Sequence, residues 1–118
     1  SNFDERVLEL KKTDLVELAI SEAINGNFER AKELIEDELV KRLSDPSALL
    51  EGMYEAIGKL KLPKELKIKL YFKLAELERG LKLGGNPIIQ FVSFIAFCWI
   101  APHLTVKCPY YLGAKEEG

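Results

Sequence analysis

Residues 84–102 read GGNPIIQFVSFIAFCWIAP, and they contain the longest apolar run of the chain. From Ile88 to Ala101 only Gln90 and Ser93 are polar, whereas lysine and glutamate recur through the rest of the sequence. A membrane-spanning helix needs about 20 apolar residues, and this run of 14 is stopped by Pro102. The pattern therefore predicts a buried helix that is too short to cross a bilayer.

Upstream of this run, four more segments carry apolar residues at helical spacing, and glycine or proline separates them. Asp45-Pro46 and Asn86-Pro87 are typical of an N-cap followed by the first helical residue. We expect further N-caps at Thr13 and Asn27. No segment alternates with period two, so the sequence predicts an all-α, five-helix bundle-like domain with short connections.

The domain organisation follows from these boundaries and from composition. A chain of 118 residues is one domain by length. We expect a linker or short helix over residues 1–12, the helical domain over residues 13–101, and a C-terminal tail over residues 102–118. The N-terminal sequence SNFDERVLEL is charged and does not resemble a signal peptide.

The two cysteines and the net charge restrict the functional class. Cys98 lies in the apolar run and Cys108 in the tail, which is not the pattern of a disulfide framework. We expect a buried, unreactive thiol at Cys98 and a reducing, cytoplasmic location. The formal net charge of −2 gives no general attraction to nucleic acid.

The sequence shows no recognisable catalytic or metal-binding pattern. His103 has no nucleophile or acid partner that the sequence reveals, and Gly84-Gly85 lacks the Lys-Ser/Thr of a P-loop. Glu33, Glu36 and Asp37 lack an inward-facing Glu-x-x-His motif and are typical of a solvated helix face. The sequence predicts no catalytic residue, no metal site and no cofactor.

Lysines are concentrated between residues 59 and 73, and the helix before them is acidic. Three interpretations stay open for these lysines: an exposed surface with salt bridges, a phosphate-binding surface, or contact with the acidic helix of a neighbouring copy. The second would make this a helical nucleic-acid-binding domain, although no arginine lies in the region. The third pairs Lys64 and Lys67 with Glu33 and Asp37.

The last predicted helix carries apolar residues on every side. On a helical wheel Ile88, Val92, Ile95 and Trp99 line one side, which we expect to anchor the helix in its bundle. A helix that is apolar all round should be buried all round, and a small bundle can hardly bury every side of a terminal helix. One interpretation is a central helix surrounded within one chain; the other is a subunit interface. The candidate interface residues are Asn86, Ile89, Gln90, Ser93, Phe94, Phe97 and Ile100.

The order of these features carries a family resemblance. The stretch AINGNFERAKELI, then a long helix and GGNPIIQ, is similar to the C-terminal domain of archaeal and eukaryotic replication factor C small subunits, which belong to the clamp loader family. At Gly80 the chain departs from an arginine that the family often has. The positions that carry the resemblance, over roughly residues 13 to 100, are Gly26, Asn27, Phe28, Ala31, Leu50, Met53, Leu62, Leu66, Leu81, Gly84, Asn86, Ile89 and Gln90.

The resemblance implies a collar domain for DNA replication, in which C-terminal helical domains hold a ring-like pentamer together. In that family an AAA+ ATPase module and a helical lid come first, and they carry the ATP motifs, the arginine finger and the clamp-binding surface. None of these is present here, so the resemblance implies an assembly domain that is not an enzyme by itself. The implied partners are copies of itself and other clamp loader subunits. DNA and the sliding clamp would be reached only through the parent complex, which would be nucleoid-associated, and no membrane is implied.

Overall fold

The structure is a computed structural model that describes residues 12–104. Over this range the chain forms five α-helices and no β-strand. They are α1 (Lys12–Ile24), α2 (Phe28–Glu36), α3 (Pro46–Lys59), α4 (Lys64–Lys82) and α5 (Pro87–Ile100). A π-helical turn, Asp37–Lys41, continues α2, and a 3-10 turn, Ala101–His103, continues α5. The prediction of an all-α, five-helix domain is confirmed.

Helices α1 and α5 lie at the centre of the domain. Helix α1 packs against α2, α3 and α5, whereas α5 packs against α1, α2 and α4. Helices α3 and α4 also pack against each other. The largest fully buried side chains are Phe91, Phe94, Ile20, Ile35, Leu49, Met53, Ile57, Leu70 and Ile95. Each contributes roughly 1.5 to 3 kcal/mol by leaving water, so the apolar run of α5 supplies a large share of the core.

Glycines with a left-handed backbone conformation end α1 and α4. Gly84 has φ +90°, a left-handed conformation that glycine adopts without a Cβ penalty. The Gly85 N–H donates to the Gly80 carbonyl at 2.8 Å, and the Gly84 N–H donates to the Leu81 carbonyl at 3.1 Å. These two bonds satisfy carbonyls that a helix end leaves free, in a Schellman motif. Gly26, with φ +100°, ends α1 in the same way.

Two of the predicted N-caps, Asp45 and Asn86, are confirmed; Asn27 is at the N-cap position without a side-chain capping bond, and Thr13 is wrong. A carboxylate oxygen of Asp45 accepts from the Ala48 N–H at 3.3 Å, and Asn86 makes the equivalent bond at the start of α5. The Asn27 side chain makes no capping bond to α2; it donates to the Glu22 carboxylate at 2.7 Å. Thr13 lies inside α1, which begins one residue earlier.

The predicted division of the chain stays a prediction, because residues 1–11 and 105–118, including Cys108, lie outside the described residues. The buried thiol is found as predicted: Cys98 is fully buried, and desolvation raises its pKa. A raised pKa keeps the sulfur protonated and weakly nucleophilic. Among the described helices, none combines the length and the apolar character that a bilayer span requires.

Candidate subunit interface

One face of α5 is apolar and uncovered. Ile89, Trp99 and Ile100 are 64%, 44% and 40% exposed, and Ser93 and Ala96 are exposed between them. Their spacing of three or four residues places these five side chains on one side of the helix. We call this set the outer face of α5. Four of its five side chains are apolar, which is unusual for a surface that faces only water.

The opposite side of α5 enters the core, and it is not quite the side that the helical wheel suggested. Phe91, Phe94, Ile95 and Cys98 are buried, whereas Trp99, predicted to anchor the helix, lies on the outer face. Phe94, a candidate interface residue, is only 1% exposed and lies in the core of the single chain. The physical reason is the position of α4: Phe94 lines a small cavity between α4 and α5 and is covered by its own chain.

Gln90 is half-buried, and its side chain is directed at the turn between α4 and α5. A Cβ on Gly80 would lie 2.0 Å from the Gln90 Oε1 atom, and a Cβ on Gly85 would lie 3.0 Å from its Nε2 atom. Real Cβ atoms do not approach as closely as 2.0 Å, and 3.0 Å is tighter than most of their contacts, so Gln90 uses space that the two glycines leave open. This explains why glycine at position 80 suits this chain, where an arginine would displace Gln90.

Phe97 is half-buried beneath a lysine of its own chain. The Lys73 Nζ atom lies 5.1 Å from the centroid of the Phe97 ring, within the range of a cation–π interaction. The same nitrogen is 3.1 Å from the Glu76 Oε1 atom. One edge of the predicted interface is thus occupied within the chain.

Asn86 contributes to the start of α5, since its Oδ1 atom accepts from the Ile89 N–H at 3.2 Å. We expect Asn86→Ala to lower the free energy of unfolding by about 1 kcal/mol, because an N-cap bond is lost. Asn86→Ser should retain most of the stability, because serine also caps helices. Urea denaturation of the three proteins measures the difference. Equal stability of all three, with weaker self-association of the alanine variant, would instead place Asn86 in the interface.

The four residues proposed for electrostatic contacts do not pair with one another in the described part of the chain. Asp37 lies 3.6 Å from the Lys41 Nζ atom one helical turn away, and the Lys67 Nζ atom donates to the Gly58 carbonyl at 3.0 Å. Glu33 and Lys64 are exposed and have no ion-pair partner within residues 12–104.

The lysine-rich region 59–73 is largely engaged within the chain. Lys59 lies 3.9 Å from a Glu17 carboxylate oxygen, and Lys69 donates to the carbonyls of Ala101 and Leu104. Lys67 and Lys73 have the partners given above. Within the described residues, this leaves Lys61 and Lys64 as the members of the region without a partner. Phosphate binding by this region is therefore less favoured than the sequence alone suggested.

Two grooves were missed by the sequence reasoning, because each forms only where separate helices pack against one another. A groove of about 800 Å³ borders the outer face of α5 and is lined by Gly26, Asn27, Phe28, Glu29, Arg30, Ala96 and Trp99. A second groove, of about 550 Å³, lies between α3 and α4 and is lined by Leu50, Glu51, Tyr54, Tyr71, Leu74, Ala75 and Glu78. We call them the α2–α5 groove and the tyrosine groove. For the α2–α5 groove, the only sequence feature that could have indicated it is Gly26-Asn27-Phe28, part of the stretch that resembles the replication factor C family.

The described residues contain no cluster of three or more His, Cys, Asp or Glu side chains that could hold a metal ion. His103 is exposed on the 3-10 turn that follows α5. Neither groove brings together a nucleophile and a general base, since their polar linings are carboxylates, an arginine, an asparagine and two tyrosines. In the described part of the chain, both grooves offer surfaces for binding.

The comparisons with known proteins agree with the resemblance seen in the sequence. A family model described as "Replication factor C C-terminal domain" matches residues 12–96. A curated relative from Picrophilus torridus, described as "Replication factor C small subunit", is 30% identical over 88 residues. The match covers 75% of this chain and 27% of the relative, so the chain spans about a quarter of that protein's length. The range matched by the family model includes α1 to α4 and most of α5.

Proposed function

The chain belongs to the family of replication factor C C-terminal domains, and we propose that it is a collar domain that joins clamp loader subunits to one another. The observation that carries the proposal is the outer face of α5. Ile89, Trp99 and Ile100 form an apolar surface that the folded chain leaves in water. A second subunit that covers this surface would remove the cost of hydrating it.

The free energy gained by burying the outer face of α5 can be compared with the cost of association. Burying an isoleucine contributes roughly 1.5 to 3 kcal/mol, and a tryptophan adds a large aromatic area. Association costs an estimated 4 to 15 kcal/mol in lost freedom of motion. The three side chains of the outer face therefore supply a substantial part of what a stable interface needs, and the grooves beside them must supply the rest.

In the parent assembly we propose that the collar holds AAA+ ATPase modules in register. One subunit's arginine finger would then reach the nucleotide of the next subunit. DNA and the sliding clamp would be contacted through the parent assembly and not through this domain. The domain itself would act without a cofactor and without catalysing a reaction.

The direct test is the molar mass of this chain in solution, measured by light scattering over a concentration series. We expect the mass to rise with concentration and to level off at a fixed multiple of the chain mass, because a ring closes at a defined copy number. A single-chain mass at every concentration would overturn self-association through the outer face of α5. The plateau, if reached, also gives the copy number of the isolated domain.

A further inference from the structure

We infer that the tyrosine groove of one copy receives the α2–α5 groove of the next copy, with Arg30 of one paired to Glu51 of the other. This inference rests on the proposed self-association and adds the second surface and the orientation. The outer face of α5 then has a defined mate on the neighbouring subunit. The assembly is head-to-tail.

The tyrosine groove has the character of an interface. Tyr54 and Tyr71 lie with their ring centroids 5.6 Å apart, and Tyr54 is 62% exposed. Exposed aromatic side chains in one patch are enriched at protein–protein interfaces, because they combine a large apolar area with few rotatable bonds. Water alone gives no reason for two aromatic rings to lie exposed side by side.

The number and placement of the apolar surfaces favour a head-to-tail arrangement. A two-fold dimer uses the same patch on both subunits, whereas a ring of more than two copies needs two different patches on each subunit. The α2–α5 groove and the tyrosine groove are two such patches, and they share no helix. Each chain can therefore use one of them toward each neighbour.

Charge supports this pairing of surfaces. Arg30 lines the α2–α5 groove and Glu51 lines the tyrosine groove. Both are exposed, and neither has an ion-pair partner within the described part of the chain. An arginine beside tyrosine rings and a carboxylate can form both a cation–π contact and a paired hydrogen bond.

The surrounding charges are complementary as well. Beside the α2–α5 groove, Glu29 and Glu33 are exposed on α2, one helical turn apart. At the α3–α4 end of the other surface, Lys61 and Lys64 are exposed. These four also lack an ion-pair partner among residues 12–104. In the proposed arrangement Glu29 and Glu33 face Lys61 and Lys64, whereas Glu78 of the tyrosine groove is paired with Lys82 of its own chain.

The test is charge reversal with rescue, in the full 118-residue chain. We expect Arg30→Glu and Glu51→Arg each to weaken self-association by at least about tenfold, because like charges would meet across the interface. The double variant should recover to within about threefold of the unmodified chain, because the pair is restored with its charges exchanged. Sedimentation equilibrium measures the association constants of the unmodified chain, the two single variants and the double variant. Asp14→Arg is the matched control, since Asp14 is exposed on α1 outside both surfaces, and it should leave association unchanged.

The outcomes separate this inference from the proposal beneath it. If the unmodified chain associates and the single reversals have no effect, the pairing of Arg30 with Glu51 is wrong while self-association stands. If the single reversals weaken association and the double variant shows no rescue, the two residues contact other groups and the inference is again overturned. If the unmodified chain does not associate, self-association itself fails. Circular dichroism of each variant verifies the fold, which exposed substitutions should preserve.

Discussion

Replacing Phe94 by alanine is expected to lower the free energy of unfolding by about 3 to 5 kcal/mol. The Phe94 side chain is 1% exposed and lies between α4 and α5. Truncation removes its transfer free energy and leaves a cavity that rigid helices fill only in part. Domains of this size have a total stability of about 5 to 15 kcal/mol, so the variant should be marginally folded. Urea denaturation followed by circular dichroism measures the change.

The control for this substitution is the preceding residue. Ser93 is exposed on the outer face of α5, and Ser93→Ala should change the free energy of unfolding by no more than about 0.5 kcal/mol. A Phe94→Ala variant as stable as the unmodified chain, but impaired in self-association, would show that Phe94 belongs to the interface after all. The two measurements therefore decide which side of α5 faces the core.

The helices were predictable because residues at their ends, in the caps and the first turn, mark where each helix begins or stops. Asp45-Pro46 and Asn86-Pro87 begin helices, and Gly26 and Gly84 end them with positive φ. These signals depend on the backbone of a few neighbouring residues, so helix ends can be predicted without knowledge of the tertiary structure. Asn27 occupies the N-cap position of α2 without a side-chain capping bond, and its amide nitrogen donates to the Glu22 carboxylate of the preceding helix.

The inward side of α5 was not predictable to the same degree. Where a helix is apolar on every side, its amphipathic pattern is weak and carries little information on which side is buried. The position of the neighbouring helices decides, and it rotates the buried side to Phe91, Phe94, Ile95 and Cys98. Tertiary packing, and not the sequence pattern, therefore determines which side of α5 is buried.

The role of the polar residues at the start of α5 was also not predictable from the sequence. Asn86 and Gln90 are polar residues next to an apolar run, which suggested hydrogen bonds to a partner. In the structure, Asn86 accepts from the backbone of its own helix, and Gln90 fills the space beside Gly80 and Gly85. The tyrosine groove carried no sequence signal at all, because Tyr54 and Tyr71 meet only when α3 packs on α4.

The double variant Ile89→Asp, Ile100→Asp is expected to prevent self-association while the domain stays folded. In a single chain both side chains are exposed, so two carboxylates at these positions remain hydrated. In an assembly they would be buried without partners, and two apolar contacts would be lost as well. A loss of at least about 3 kcal/mol raises the dissociation constant by a hundredfold or more. Light scattering gives the mass, and circular dichroism gives the helix content.

Leu18→Asp is the matched control, because Leu18 is 42% exposed on α1, close to the value for Ile100, and lies outside both grooves. It introduces one carboxylate at a comparably exposed helical residue and should leave the molar mass unchanged. If the double variant unfolds, the outer face of α5 is covered within the chain and acts as core. If it stays folded and associates as the unmodified chain does, the subunits meet through another surface. Only a folded monomer, with an unaffected Leu18→Asp control, assigns self-association to the outer face of α5.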